Sequence, residues 1–347
     1  MIPQKRIVYS TNLGQQICGD SRDILNLLPD RSIDLIVTSP PFALLRKKSY
    51  GNEDQGEYVA WLNGFGKAAF PKLKDSGSFI IDLGGAYKRG RPVRSLYVYR
   101  VLLDFCDNIG YRLAQEFYWF NPAKLPSPIE WVNKKKIRVK DSVNTLWWFS
   151  KTDKPQANVR NVLSPYSERM KTLLKDPLKF YQPKKRPSGH DISNRFGGLN
   201  GGAIPSNLLQ IPNTDSNSHY MRLCKLVGRE PHPARFPADL PRFFVKLLTA
   251  PGDLVVDIFS GSNTTGYVAE ELQRNWLSIE LDRSFAALSA IRFMEGMDED
   301  SIQDIIKRID QGECISLSTS FNTSAGRLKR KVRLRKSKCM KPMPLFD

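Results

Sequence analysis

Apolar positions along this chain fall into two recurring patterns: short unbroken runs, and longer stretches with apolar residues every third or fourth position. The run Asp34-Leu-Ile-Val-Thr38 stops at Ser39-Pro40-Pro41-Phe42. Such a run predicts a buried strand that ends in a stiff loop. The pattern recurs at Gly77 to Leu83, Leu113 to Phe120, Leu254 to Phe259 and Trp276 to Glu280. Helical spacing separates these runs. Val59, Leu62, Phe65, Ala69 and Phe70 share one face over 58–73, and Leu240, Phe243, Phe244, Leu247 and Leu248 do so over 238–248. Residues 96–109 and 284–294 also read as helices. Near the start, 7–20 carries short strand-like pieces, and Ile24, Leu25, Leu27 and Leu28 mark a short helix. This alternation predicts an α/β domain with a largely parallel sheet.

The periodicity lapses after Pro122. Residues 123–230 mix basic stretches with aromatic residues and turn formers, broken by a strand expected near 144–149 and a helix over 166–174. So many aromatics need burial or a ligand, so this span reads as a loop-rich, partner-binding elaboration rather than a disordered insertion. Regularity returns at His232-Pro-Ala-Arg-Phe-Pro237. The chain therefore divides into 1–122, 123–230, 231–300 and a C-terminal extension, 301–347.

Charge narrows the class of partner. Against 35 acidic residues stand 53 Lys and Arg in 347, a net +18. This excess suits a polyanion, with nucleic acid ahead of an anionic membrane surface. From Arg327 to Lys341 there are nine basic residues and no acids, which predicts a flexible basic tail, either adding salt-sensitive contact or merely solubilising. Five scattered cysteines, no CxxC pair and three histidines point to reduced thiols and no metal site. With neither a secretory signal's long apolar stretch nor an 18-residue apolar run, the expected location is cytoplasmic.

Two stretches carry candidate chemistry. In the first, Pro40 and Pro41 lack N–H groups and fix the backbone, Ser39 adds a hydroxyl, and Phe42 adds a flat apolar face. Together they make either a rigid turn or a pocket for a planar group bearing an amine. In the second, the strand ending at Asp257 and Phe259 is followed by Ser260-Gly261-Ser262-Asn263-Thr264-Thr265-Gly266, a helix, and a strand ending at Glu280. This strand–loop–helix–strand order fits a mononucleotide-binding unit in which a carboxylate accepts both ribose hydroxyls. There is no P-loop lysine. Asp20 and Asp82 also lie at strand ends. Asp20 is either a helix cap or an acceptor for a ligand amine.

Taken together, these motifs resemble the S-adenosylmethionine-dependent amino-methyltransferases of DNA, in particular the cytosine-N4 enzymes of type II restriction–modification systems. Thr38-Ser-Pro-Pro-Phe42 is similar to their catalytic loop, where adenine-N6 relatives usually carry Asp. Asp257 to Gly266 is similar to their methionine-binding segment, with Asn263 where Gly is frequent. The resemblance covers roughly 7–295. It implies a Rossmann-like class I methyltransferase sheet, circularly permuted, with the catalytic half first, a mixed α/β and loop-rich target-recognition region next, and the cofactor half after it. Trp119 to Pro128 and Lys184 to Asn207 resemble the branch acting on CAGCTG. By this resemblance Ser39 and the Pro40 carbonyl accept from the target amine, Pro41 stiffens the loop, Phe42 stacks on a flipped base, and Asp82 contacts the ring or assists proton departure. Asp20, Asp257, Phe259, Gly261, Ser262, Asn263, Thr264, Thr265 and Glu280 surround the S-adenosylmethionine. Arg46, Lys47, Lys48, Lys134, Lys135, Arg138, Lys184, Lys185 and Arg186 grip duplex DNA. The expected protein is a nucleoid-associated monomer, functionally paired with a restriction endonuclease. Adenine-N6 methylation, RNA methylation and a non-catalytic DNA-binding module remain open.

Overall fold

The structure is a computed structural model that describes residues 2–42, 57–177, 198–214, 218–324 and 327–334. Two compact units emerge, one formed by 1–156 with 207–347 and a smaller one by 157–206. In chain order the larger unit begins with β1 (Ile7–Ser10), β2 (Gly14–Cys18), α1 (Ser21–Asn26), β3 (Ile33–Thr38), α2 (Tyr58–Ala69), β4 (Leu73–Gly84), α3 (Tyr97–Leu103), β5 (Arg112–Phe120) and β6 (Val143–Ser150). The smaller unit holds α4 (Glu168–Lys175). Its N-terminus is capped by Ser167, which accepts from the Met170 N–H. The larger unit resumes with β7 (Leu208–Gln210), α5 (His219–Leu226), α6 (Asp239–Leu248), β8 (Leu254–Asp257), α7 (Thr264–Glu271), β9 (Asn275–Glu280), α8 (Arg283–Ser289), α9 (Glu299–Asp310), β10 (Ile315–Ser324) and β11 (Arg327–Leu334).

All eleven strands form one sheet in the order β11-β10-β1-β2-β9-β8-β3-β4-β6-β5-β7. At its centre β2, β9, β8, β3 and β4 run parallel, while β6 is antiparallel to both β4 and β5. Strand β3 lies between β8, far later in the chain, and β4, its successor. This is the permuted strand order that the sequence resemblance implies. Unbroken apolar runs arise here because both faces are covered. On one face Ile36, Phe79, Ile81, Val256 and Leu277 join Leu62 and Phe65 of α2 and Val98 and Val101 of α3. Each such side chain, fully buried, contributes about 1.5–3 kcal/mol. The alternate positions Leu35, Ile80, Val255 and Trp276 are equally buried. On their side of the sheet Trp276 stacks on Phe293, while Phe117 meets Phe244 of α6 edge-on.

Several expectations need adjustment. The first part of the basic tail, expected to be flexible, is strand: Arg327–Leu334 pairs antiparallel with Ile315–Ser324. Arg327, Lys329, Lys331 and Arg333 alternate with Leu328, Val332 and Leu334, a period-two pattern that a reading by charge alone passes over. Cys314, expected as a reduced thiol, is disulfide-bonded, whereas Cys18, Cys106 and Cys224 are free. The helix expected over 58–73 stops at Ala69, and Pro71 lies in a short 3-10 turn before β4. Among the described residues no helix is long and apolar enough to cross a membrane, and no cluster of side chains could hold a metal ion.

Candidate active site

The site forms where the parallel strands end, in the crevice typical of open α/β sheets. Strand β3 delivers Thr38 and then Ser39, and its neighbour β4 delivers Asp82 and Gly84. Ser39 Oγ donates to Asp82 Oδ2 at 3.0 Å. The amide of Asn144, the second residue of β6, donates to Asp82 Oδ1 at 3.0 Å and Oδ2 at 3.3 Å. Asp82 is only 4% exposed. Burial pushes its carboxyl up to about 6, although the Asn144 and Ser39 hydrogen bonds pull it down. Ser39 spends its proton on Asp82, which leaves its lone pairs free to accept from another group.

The Phe42 ring lies against the backbone of Gly84, where an added Cβ would sit 2.4 Å from it. Glycine is required here because no side chain leaves room for the ring. Tyr97 donates its hydroxyl to the Gly84 carbonyl from beneath. Gly85 gives similar room to Arg94, which pairs with Asp141. The stiff Ser-Pro-Pro-Phe loop therefore lies across the end of β4 rather than projecting freely.

Beside it, β8 ends at Asp257, 1% exposed. Its Oδ1 accepts from Thr38 Oγ1 at 2.7 Å and the Phe259 N–H at 3.1 Å, and its Oδ2 accepts from Thr265 Oγ1 at 2.7 Å. Burial raises this carboxyl to about 6 as well. One carboxylate thus braces the residue before Ser39, the loop after β8 and the start of α7. Its oxygens face protein donors rather than an open crevice.

The loop after β8 turns most of its side chains inward. Asn263 adopts left-handed φ and ψ of 54° and 45° and caps α7 by accepting from the Gly266 N–H. It also accepts from Ser278 Oγ and donates to the Tyr9 hydroxyl. Ser262 accepts from the Arg292 guanidinium through both its carbonyl and its hydroxyl, and Thr264 is buried. The side chains of Ser262, Asn263 and Thr265 are thus engaged in hydrogen bonds that hold the loop's shape. Gly261 has φ +48°, and an added Cβ would lie 3.1 Å from the His232 ring. Phe259 packs on Trp61 and Phe65 of α2 at ring separations of 5.5 and 4.7 Å.

Glu280 ends β9 with its two oxygens accepting separately, Oε2 from the Gly261 N–H at 2.8 Å and Oε1 from the Asp282 N–H at 2.9 Å. Each oxygen keeps a lone pair, enough for two vicinal hydroxyls. Burial raises its carboxyl above the usual range. Asp20 ends the preceding loop as the N-cap of α1 and also pairs with Arg22 at 2.6 Å, which holds its carboxyl below the usual range. A strand-end carboxylate for a diol and a flanking aromatic ring suit a nucleoside.

The expected DNA contacts divide. Lys134 and Lys135 flank Glu130 at 3.4 and 3.6 Å, Lys135 also lies over the Trp131 ring, and Arg138 donates to the Ile137 and Pro92 carbonyls. All three are exposed. Arg46, Lys47, Lys48, Lys184, Lys185 and Arg186 lie outside the described residues. Sequence reasoning missed Asn144, and it placed Thr38 at the head of the catalytic loop without giving it a role. An amide among Leu146, Trp147, Trp148 and Phe149 was the available signal for Asn144, whereas Thr38 looked like an ordinary strand former.

Comparison with known proteins adds an independent line. A model of the DNA methylase family of the N6 and N4 class matches residues 33–290. Type II methyltransferase M.PvuII of Proteus hauseri is 57% identical over 316 residues, covering 91% of this chain and 94% of that protein. Type II methyltransferase M.SmaI of Serratia marcescens is 26% identical over 309 residues, covering 80% of this chain and 90% of its own. Among solved structures, the PvuII DNA methyltransferase, described as cytosine-N4-specific, superposes with a TM-score of 0.74 at 49% identity, covering 90% of this chain and 97% of that one.

Proposed function

This chain belongs to the N6/N4 family of DNA methylases, and from that premise we propose that it methylates N4 of cytosine in a short duplex DNA site, CAGCTG, with S-adenosylmethionine as donor. The observation that carries this reading is the Ser39–Asp82 hydrogen bond at the end of β3 and β4. Likeness to the PvuII DNA methyltransferase, described as cytosine-N4-specific, supports the cytosine target, and the resemblance of Trp119 to Pro128 and Lys184 to Asn207 to the branch acting on CAGCTG supports the site.

When bound, S-adenosylmethionine supplies an electrophilic sulfonium methyl group. Glu280 would accept from its ribose, Phe259 would provide an apolar wall beside the Gly261 backbone, and Asp20, by the family resemblance, would meet the adenine edge. The target cytosine leaves the duplex and stacks on Phe42, with unpairing offset by contacts in the pocket. Its amine is a poor nucleophile because the nitrogen lone pair is delocalised into the ring. Ser39 Oγ and the Pro40 carbonyl accept its two N–H bonds, which draws the nitrogen toward a tetrahedral shape and aims its lone pair at the methyl. As the N–C bond forms, the bond between methyl and sulfur would break with its electron pair staying on sulfur, leaving S-adenosylhomocysteine, and the methylated amine carries an extra proton. That proton passes to Ser39 Oγ as the serine proton passes to Asp82 Oδ2, and Asp82 later releases it to solvent.

Lys134, Lys135 and Arg138 contact phosphates, which fixes the register without reading sequence. A type II methyltransferase of this kind protects its site from a partner endonuclease and works as a monomer at the nucleoid. The assigning experiment is nucleoside chromatography of duplex DNA methylated with labelled S-adenosylmethionine, combined with methylation mapping in a methylation-free host. Label in N4-methylcytosine within CAGCTG is the expected result. Label confined to N6-methyladenine, or transfer to RNA alone, overturns the assignment. Failure to bind S-adenosylmethionine in calorimetry would leave only a DNA-binding module.

A further inference from the structure

Strand β6 is largely apolar and aromatic, running Val143-Asn-Thr-Leu-Trp-Trp-Phe-Ser150. Asn is a poor strand former, and a buried amide costs stability unless its polar atoms are paired. Asn144 is nevertheless buried. It lies opposite Gly84 in the ladder, two residues from the Asp82–Leu146 pair, so its side chain shares a face with Asp82. Its Nδ2 donates to both carboxylate oxygens, at 3.0 and 3.3 Å. An ionised carboxylate only accepts hydrogen bonds, so the amide must turn its NH2 toward Asp82.

We propose that Asn144 is a positioning residue for methyl transfer, clamping Asp82 as the acceptor of the Ser39 proton and so keeping the Ser39 lone pairs turned to the target amine. This inference rests on reading Ser39 and Asp82 as the transfer centre. The other polar groups around Asp82 cannot replace it. Ser39 approaches from the loop after β3 and engages only Oδ2, while Lys124 from the loop after β5 acts through its charge. From the helical side, the Tyr58 hydroxyl on α2 and the Tyr97 hydroxyl on α3 also feel the charge of Asp82, but Tyr97 donates to the Gly84 carbonyl. Among the described residues Asn144 alone bridges both oxygens.

The test is single-turnover methyl transfer by the full chain, measured from pH 5 to 9 on a duplex that the wild type methylates, alongside calorimetric affinity for S-adenosylmethionine. Asn144→Leu removes the donors and leaves an apolar side chain. Its rate at pH 5 is expected to fall about tenfold or more, with the acid limb moving up by about one pH unit or more and the rate recovering toward pH 9, because well below its midpoint a carboxyl loses about tenfold of its ionised form for each pH unit the midpoint rises. Cofactor affinity stays within about twofold, since no cofactor-side group touches Asn144. Asn144→Asp keeps the shape but sets a second carboxylate about 3 Å away, so its acid limb moves further. If Asn144→Leu does not fold, Asn144→Asp decides the matter alone. An acid limb at the wild-type midpoint, with or without an equal rate loss at every pH, overturns the inference. Ser39→Ala separates the two levels. Full activity in that variant sinks the transfer-centre reading itself, whereas an inactive Ser39→Ala with an unshifted Asn144→Leu removes only the role of Asn144.

Discussion

Ser39 and Asp257 differ in what their hydrogen bonds leave available. Ser39 gives away its proton and keeps its acceptor lone pairs, so Ser39→Ala is expected to lose about a hundredfold or more of turnover with unchanged S-adenosylmethionine affinity. Asp257 spends both oxygens on Thr38, Phe259 and Thr265, so Asp257→Ala loosens both halves of the site. Calorimetry should show weaker cofactor binding and quench-flow a slower transfer step, whereas Ser39→Ala shows only the second. The pH dependence follows from Asp82, whose carboxyl burial pushes up to about 6. Transfer requires the ionised form, so the single-turnover rate falls as pH drops through about 6. The stability sign is opposite. A carboxyl with its folded pKa above the usual 3.8 is better tolerated protonated, so its contribution to stability declines as pH rises from about 4 through 6. Asp82→Asn should therefore unfold in denaturant at pH 7.5 no earlier than wild type while losing turnover. Gly84→Ala tests the floor under Phe42, because displacing the ring by about 1 Å should slow transfer about a hundredfold without affecting cofactor affinity. At this scale Ser39, Phe42 and Glu280 stand out in the sequence as candidates because Pro-Pro and a strand-end carboxylate are local signals. Asn144 and Thr38 matter only through partners 62 and 219 residues away, and no local pattern records such pairs.

The loop from Ser260 to Asn263 and the helix it starts form one element whose shape depends on Asn263. Its left-handed backbone favours Gly or Asn, and its side chain caps α7 while joining Ser278 and Tyr9. Asn263→Ala keeps the backbone strain and loses the cap, so it should cost about 2 kcal/mol or more in chemical denaturation. Asn263→Gly relieves the strain and should cost less. Equal costs in the two variants would show that side-chain bonding, not backbone conformation, governs the loop. Elements of the parallel centre were legible in the sequence because burial on both faces writes an unbroken apolar run. The β10–β11 hairpin was not, because the density of Lys and Arg over 327–334 outweighed the period-two alternation of Leu328, Val332 and Leu334. The 3-10 turn after α2 was also missed, since Phe70 continues the helical spacing while Pro71 ends the helix.

A net charge of +18 makes the whole molecule responsive to salt. Each phosphate contact removed should lower the slope of log affinity against log salt by about 0.9. Substituting Lys134, Lys135 and Arg138 with Ala, singly, should weaken binding about equally for cognate and unrelated duplexes, as filter binding across a salt series can show. A change in sequence preference from any of them would assign that side chain to a base edge instead. The permuted strand order has a further consequence, for the nascent chain. Strand β3 is made early, yet its partner β8 follows more than two hundred residues later, and β9, which joins β8 to β2, later still. At about 5–20 residues per second the ribosome takes on the order of 10–40 s to cover that distance. Throughout it β2 and β3 present open edges able to pair with other chains. Stopping translation before residue 254 therefore removes the middle of the sheet rather than a margin, and such fragments should be captured by chaperones or aggregate, whereas the sheet core can close once Glu280 has emerged.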